Sequence, residues 1–316
     1  MPVDMSSPPA MPLSNALPGL LAQADRLRDI RRDIHAHPEL CFQEVRTSEL
    51  VADALTRWGV EVHRGLGQTG VVGVIEGRPG HRAIALRADM DALPMTERNT
   101  FAHASKHPGR MHACGHDGHT AMLLAAAQHL AGERDFDGKV VLVFQPAEEG
   151  GGGAAAMIRD GLFERFPVDA IFGMHNWPGM PAGTFAIKDG PCFASSNEFK
   201  IVLRGKGCHG AMPHLGVDPV PLACQLVQSF QTILTRNVRP VETGVISVTM
   251  IQAGEATNVV PDTVTMQGTV RTFTTETLDL IEQRMRDLTH HTAAAYGATA
   301  EFEFHRNYPP TINHAA

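Results

Sequence analysis

The sequence predicts an α/β protein, a mostly parallel sheet flanked by helices, joined to a ferredoxin-like βαββαβ block. Three observations predict it. The apolar runs VVGVIEG, RAIALRADM, KVVLVFQP and DAIFGMHNWP are short, rich in Val and Ile and bounded by Gly, Pro or Asp, as buried parallel strands are. The helical stretches HTAMLLAAAQHLAG and GAAAMIRDGLF lie between such runs, which is the alternation of a parallel sheet. From about Ser195 to His305 the rhythm becomes strand, helix, strand, strand, helix, strand.

The elements follow in order. Residues 1–18, rich in Pro and polar residues, lack a basic stretch followed by an apolar one and are read as a flexible tail, not a signal peptide. LLAQADRLRDIRRDIHAH and VRTSELVADALTRWG carry a helical pattern, the second closed by Gly59, and the strand–helix alternation then fills a first domain over 19–192. The second block, 193–305, is read as EFKIVLRG (strand), PVPLACQLVQSFQTILTRN (helix), TGVISVTMIQAG and DTVTMQGTVRTF (strands), ETLDLIEQRMRDLTHHTAAAYG (helix) and ATAEFEFHR (strand). Residues 306–316 read as the start of a return to the first domain.

Composition narrows the function. The chain has 316 residues, 43% hydrophobic and 19% charged, which suits a packed globular protein. A net charge of −7 without a Lys/Arg run argues against nucleic acid as a partner. No stretch approaches the roughly 20 apolar residues of a membrane span. Five scattered cysteines do not form a disulfide framework and place the chain in a reducing cytoplasm. Of 17 histidines, His103, His107, His112, His116, His119 and His129 crowd one short segment, a reason to look for a metal.

Four stretches concentrate the chemistry. RADMDALP puts Asp89 and Asp91 at the end of a strand, HACGHDGHT opens a helix, FQPAEEGGGG places Glu148 and Glu149 in a strand's exit loop, and GMHNWP ends another strand with His175. Ligands of open α/β sheets gather outside the carboxyl ends of the strands. Thiolate and imidazole favour zinc, and carboxylates extend the range to manganese. Cys114 and His116 can aim at one centre, and a thiolate or a carboxylate can bridge two ions held roughly 3.5–4 Å apart, with a hydroxide between them. Of two adjacent glutamates, one can bind metal while the other carries a proton. Singly, a strand-end His is more often structural, a lone Cys a small buried residue and a Glu pair a solvated loop. Their shared edge is what favours a metal site.

These motifs resemble the aminoacylase, hippurate hydrolase and indole-acetyl-amino-acid amidohydrolase group of metallopeptidases. The resemblance runs from HAHPELCFQE through RADMDALPMTE, MHACGHDGHTAMLLAAA, FQPAEEGGGGAAAMIRDG and GMHNWPG to GKGCHGAMPHLGVDP, TNVVPDTVTMQGTVRTF and NYPPTIN. It implies a zinc-peptidase-like catalytic domain holding two divalent ions, Mn2+ or Zn2+, on Cys114, His116, Glu149 and His175, with Cys114 bridging. It implies Glu148 as the general base and proton donor to the leaving amine. Asp91 orients a ligand, and Asp89 either does the same or touches metal.

The βαββαβ block corresponds to that family's inserted lid and dimerisation domain. There His209 resembles the histidine that holds the substrate carbonyl oxygen, often across a dimer interface, while Asn258 and Arg271 resemble receivers of the substrate carboxylate. His214 and Asp218 look structural, and His112 and His119 take no assignment. The implied reaction is hydrolysis of N-acyl amino acids by a homodimer. A dipeptidase or cell-wall-precursor deacetylase, and an inactive dimerising remnant, are the rival readings. Two departures stand out: Cys208 replaces a usual Gly, and the chain stops where the family continues to a last histidine ligand that His314 does not match. A fragment or truncated product is the expectation from that end.

Overall fold

The computed structural model describes residues 18–314, so the expected tail falls, Pro18 apart, outside the described residues. Two compact units divide between Thr184 and Phe185. Among the described residues no helix is long and apolar enough to cross a membrane.

The first unit opens with α1 (Pro18–Leu21), α2 (Ala24–Ala36) and α3 (Val45–Arg57). Next come β1 (Glu61–Leu66), β2 (Gly70–Glu76), β3 (Arg78–Asp89), α4 (His116–Glu133) and β4 (Asp137–Gln145). Then α5 (Gly153–Arg159), α6 (Leu162–Arg165) and β5 (Ala170–Gly173) complete it. The five-stranded sheet has the order β1-β2-β4-β3-β5. Its centre explains the unbroken apolar run of β4. Val140, Leu142 and Phe144 join Val51, Leu55 and Leu124 of α3 and α4 on one face. Val141 and Val143 meet Met157, Leu162 and Phe166 on the other. Each such burial contributes roughly 1.5–3 kcal/mol.

The sheet is mixed, which corrects the expectation of a mostly parallel one. β3 runs parallel to β4 and to β5, but β1 with β2 and β2 with β4 are antiparallel. The reason is the length of the links. Parallel neighbours need a crossover of a dozen or more residues. α4 supplies one between β3 and β4, and α5 with α6 supplies another between β4 and β5. Only Gly77 separates β2 from β3, so the chain can only reverse there.

The second unit contains β6 (Gly190–Phe193), β7 (Ser196–Arg204), β8 (Cys208–His209), α7 (Pro219–Arg236), β9 (Gly244–Ala253) and β10 (Val259–Val260). After these come β11 (Thr263–Thr272), α8 (Thr275–Ala295), β12 (Thr299–Tyr308) and β13 (Thr311–Asn313). The four-stranded sheet β12-β7-β11-β9 is antiparallel throughout and has two helices, the βαββαβ order expected. One sheet face, with Phe199, Ile201, Leu203, Val264 and Met266, packs against Leu226 and Phe230 of α7 and Ile281 and Met285 of α8. Both helices start on capped ends. Asp218 accepts from the Val220 N–H with Pro219 in the first turn, and Thr274 accepts from the Thr277 N–H.

Candidate metal centre

The carboxyl ends of β3, β4 and β5 lie on one edge, because the three strands run parallel with Asp89 opposite Gln145 and Arg87 opposite Gly173. From that edge emerge Asp89 and Asp91, the Glu148–Glu149 loop and the segment carrying His175. Gly115 precedes α4 at φ +89°, a left-handed conformation suited to glycine. Its turn presents Cys114 and His116 to the same edge, and a Cβ at 115 would run into the Asn176 side chain.

His116 is the hub. It is fully buried, and its Nδ1 faces Asp91 Oδ1 at 3.2 Å. Its Nε2 is buried with no hydrogen-bond partner among the described residues. That nitrogen lies 3.7 Å from Asp89 Oδ2, 3.9 Å from Glu149 Oε1 and 4.0 Å from Glu148 Oε2. Three donor groups share the His116 residue: Cys114/His116/His175, Asp89/His116/His119 and His116/Glu148/Glu149, each with ligand atoms within 4.8 Å of one another. A buried imidazole nitrogen facing three carboxylates at 3.7–4.0 Å is the arrangement a divalent cation would satisfy. The residues fit a metal centre.

Electrostatics agree. Cys114 Sγ is 3.3 Å from His175 Nε2, and the imidazoles of His116 and His175 hold the thiol below its usual range. The same thiol, against the opposing effect of burial, pushes His175 up to about 9. Burial raises the Asp89 carboxyl, but the His119 hydrogen bond and the charges of Arg87 and His116 outweigh it and hold it low. Burial, with Glu149 and Asp89 as like-charged neighbours, raises Glu148.

Around these residues stand further partners, of which the sequence assigned only Asp91. His119 contacts Asp89 Oδ1 at 2.6 Å through Nδ1 and accepts the Asn176 N–H at Nε2, 3.0 Å. Arg87 donates to Asp89 Oδ2 at 2.8 Å and to Gln145 Oε1 at 2.9 Å. Asp91 Oδ2 accepts the Glu149 N–H at 2.8 Å. His112 is buried without a hydrogen-bond partner among the described residues, and burial holds its imidazole down to about 4. In the sequence His119 is marked by the crowded histidine segment and by its place three residues after His116, on the same helix face.

In the second unit, His209 on β8 pairs with Val259 of β10, and Gly210 N–H donates to the Asn258 carbonyl at 2.7 Å, so His209 and Asn258 are neighbours. Both are exposed, and His209 Nδ1 accepts the Ala211 N–H at 3.1 Å. Arg271, half-buried on β11, donates from Nη1 to Val270 O at 3.2 Å, to Asn197 O at 3.4 Å and to the Thr269 hydroxyl. Asp218 caps α7, and His214 sits in a one-turn 3₁₀ helix.

Residues 85–316 match the model of peptidase family M20/M25/M40. The N-acetyl-L-cysteine deacetylase of Bacillus subtilis (strain 168) is 43% identical over 292 residues, 92% of this chain and 70% of that protein. The hippurate hydrolase of Campylobacter jejuni subsp. jejuni serotype O:2 is 42% identical over 299 residues, 95% of this chain and 78% of its own. A crystal structure of a dinuclear metal binding peptidase from Bacillus subtilis superposes with a TM-score of 0.79 at 39% identity, covering 93% of this chain and 77% of that one. With similarity of this extent around a cluster so suited to cations, the chain belongs to peptidase family M20/M25/M40 and is an amidohydrolase.

Proposed function

We propose that the chain hydrolyses the amide bond of N-acyl amino acids, with two divalent ions, Mn2+ or Zn2+, held by Cys114, His116, Glu149 and His175. The observation that carries this reading is the buried, unpartnered Nε2 of His116 at the centre of three donor groups. When bound, such a pair of cations supplies Lewis acidity toward the amide carbonyl and lowers the pKa of water. Asp91 fixes the His116 ring through Nδ1 and leaves Nε2 as the donor. Glu148 takes a proton from the attacking water and delivers it to the departing amine nitrogen. Its raised pKa suits both halves of that task, since a general base works best near the operating pH.

From the second unit, His209 is proposed to hold the substrate carbonyl oxygen, and Asn258 and Arg271 to receive its carboxylate. A homodimer through this unit is proposed with them: β9 is an edge strand whose Met250 and Ile251 are exposed, the kind of edge that pairs with a second copy. The scattered free cysteines favour a cytoplasmic setting.

The test is Glu148→Gln, assayed after loading with manganese or with zinc against a panel of N-acetyl amino acids, hippurate and dipeptides. The substitution removes the proton shuttle and should lower kcat at least roughly 100-fold. Near-normal turnover would overturn the assignment of Glu148. A panel on which only dipeptides react would replace the substrate class.

A further inference from the structure

The loop carrying Glu148 and Glu149 takes part of its shape from outside itself. Ala147 is fully buried at φ +50°, a left-handed conformation that costs a residue with a Cβ roughly 1–2 kcal/mol. Such a conformation persists only where the surroundings impose it. Here they do so from a distant segment. Glu44 Oε1 accepts the Ala147 N–H at 2.8 Å and the Phe42 N–H at 3.1 Å, while Oε2 accepts the Thr69 hydroxyl at 2.6 Å. Phe42 is itself left-handed at φ +59°, so two strained residues hang from one carboxylate oxygen. Two residues after Ala147, the Glu149 carbonyl accepts from Cys41 Sγ at 3.0 Å, and that sulfur lies 3.4 Å from Asp91 Oδ2. Gly151 closes the loop over this contact, since a Cβ there would stand 2.6 Å from Ala147 Cβ and 3.2 Å from Cys41 Cβ.

We propose that Glu44 and Cys41 are positioning residues that set the aim of Glu148 and Glu149 by holding the backbone at Ala147 and at Glu149. The inference rests on the reading of Glu148 as the base. Glu44 is fully buried and belongs to none of the candidate ligand groups among the described residues. Its three partners are all donors, so its role is that of an acceptor. This predicts which replacement works. In Glu44→Gln the amide oxygen still accepts both N–H groups, and the NH2 donates to a reoriented Thr69 hydroxyl. In Glu44→Ala the Ala147 N–H loses its partner and the left-handed turn relaxes.

The experiment follows hydrogen exchange over residues 144–152 together with kcat, KM and bound metal in Glu44→Ala and Glu44→Gln. In Glu44→Ala the Ala147 amide should exchange faster and kcat should fall roughly 10- to 100-fold, with KM within about twofold. Glu44→Gln should restore protection and turnover. The proposal is overturned if exchange in Glu44→Ala matches the wild type, or if Glu44→Gln is as impaired as Glu44→Ala. Should Glu44→Ala not fold, Cys41→Ala and Cys41→Ser decide. Loss of the thiol donor should lower kcat roughly tenfold with serine restoring it, and equal behaviour of the two overturns the proposal. The exchange readout does not depend on Glu148. Normal turnover by Glu148→Gln would remove the base assignment while leaving the clamp measurable, and unchanged exchange with a dead Glu148→Gln would remove the clamp alone.

Discussion

The backbone N–H of Asn176 points at Nε2 of His119, 3.0 Å away, which places that imidazole's proton on Nδ1, facing Asp89 at 2.6 Å. His119 therefore ties the end of β3 to the segment that carries His175. His119→Ala removes both contacts and should weaken metal binding roughly 10- to 100-fold, as lost orienting partners of ligands do. Competition with a chromophoric chelator measures it. Unchanged affinity would mean that His175 is held by other contacts.

Gly115 supports the same segment from the other side. Ala at this position would hold φ +89° at a cost of about 1–2 kcal/mol, and its Cβ would displace the Asn176 side chain. Gly115→Ala should thus lower the denaturation free energy and also weaken metal binding. Denaturant titration with and without metal reads both effects. A stability loss with metal affinity intact would place the effect in the turn alone.

The residues brought together at the sheet edge were legible because strand ends and helix starts can be read from apolar runs and Gly or Pro boundaries. Asp89, Cys114, His116, Glu148 and His175 all sit at such boundaries. Strand direction was harder to read, since an apolar run looks the same in either sense. The four residues RPGH between VVGVIEG and RAIALRADM, too few for a crossover, were the available signal against a mostly parallel sheet. The role of Glu44 and Cys41, both within the HAHPELCFQE stretch, could not be read. Their partners, Ala147 and Glu149, lie more than 100 residues along the chain, and the contacts go to backbone atoms that no side-chain pattern reports.

Metal loading should release protons. Burial opposes a charge on His116, but Asp91, Cys114 and Asp89 outweigh it and push the imidazole up to about 11, while Cys114 pushes His175 up to about 9. Both rings are thus protonated at neutral pH in the metal-free chain and must lose a proton to bind a cation. Affinity should rise with pH between 6 and 9, by up to roughly 100-fold per unit for two displaced protons. Calorimetry in two buffers of different ionisation enthalpy counts them. A pH-independent affinity would show that the rings are already neutral.

His35 gives a pH effect on stability separate from the metal cluster. Nδ1 meets Asp117 Oδ2 at 2.9 Å and Nε2 meets Glu97 Oε1 at 3.1 Å. Both partners are carboxylates, so the ring bonds both fully only when doubly protonated. Asp117 above all, then Glu97, raises its pKa against the opposing effect of burial, with Arg31 at Asp117 and the rings of His103 and His112 as the other neighbours. The folded state therefore binds this proton more tightly than the unfolded chain, whose value is about 6.5. The stabilisation is complete below about pH 6.5 and disappears as pH rises through the folded value. His35→Gln should accordingly cost most near pH 6 and progressively less above it, by chemical denaturation at fixed salt. A penalty that grows with pH would mean the ring is neutral in the fold, serving as donor to one carboxylate only.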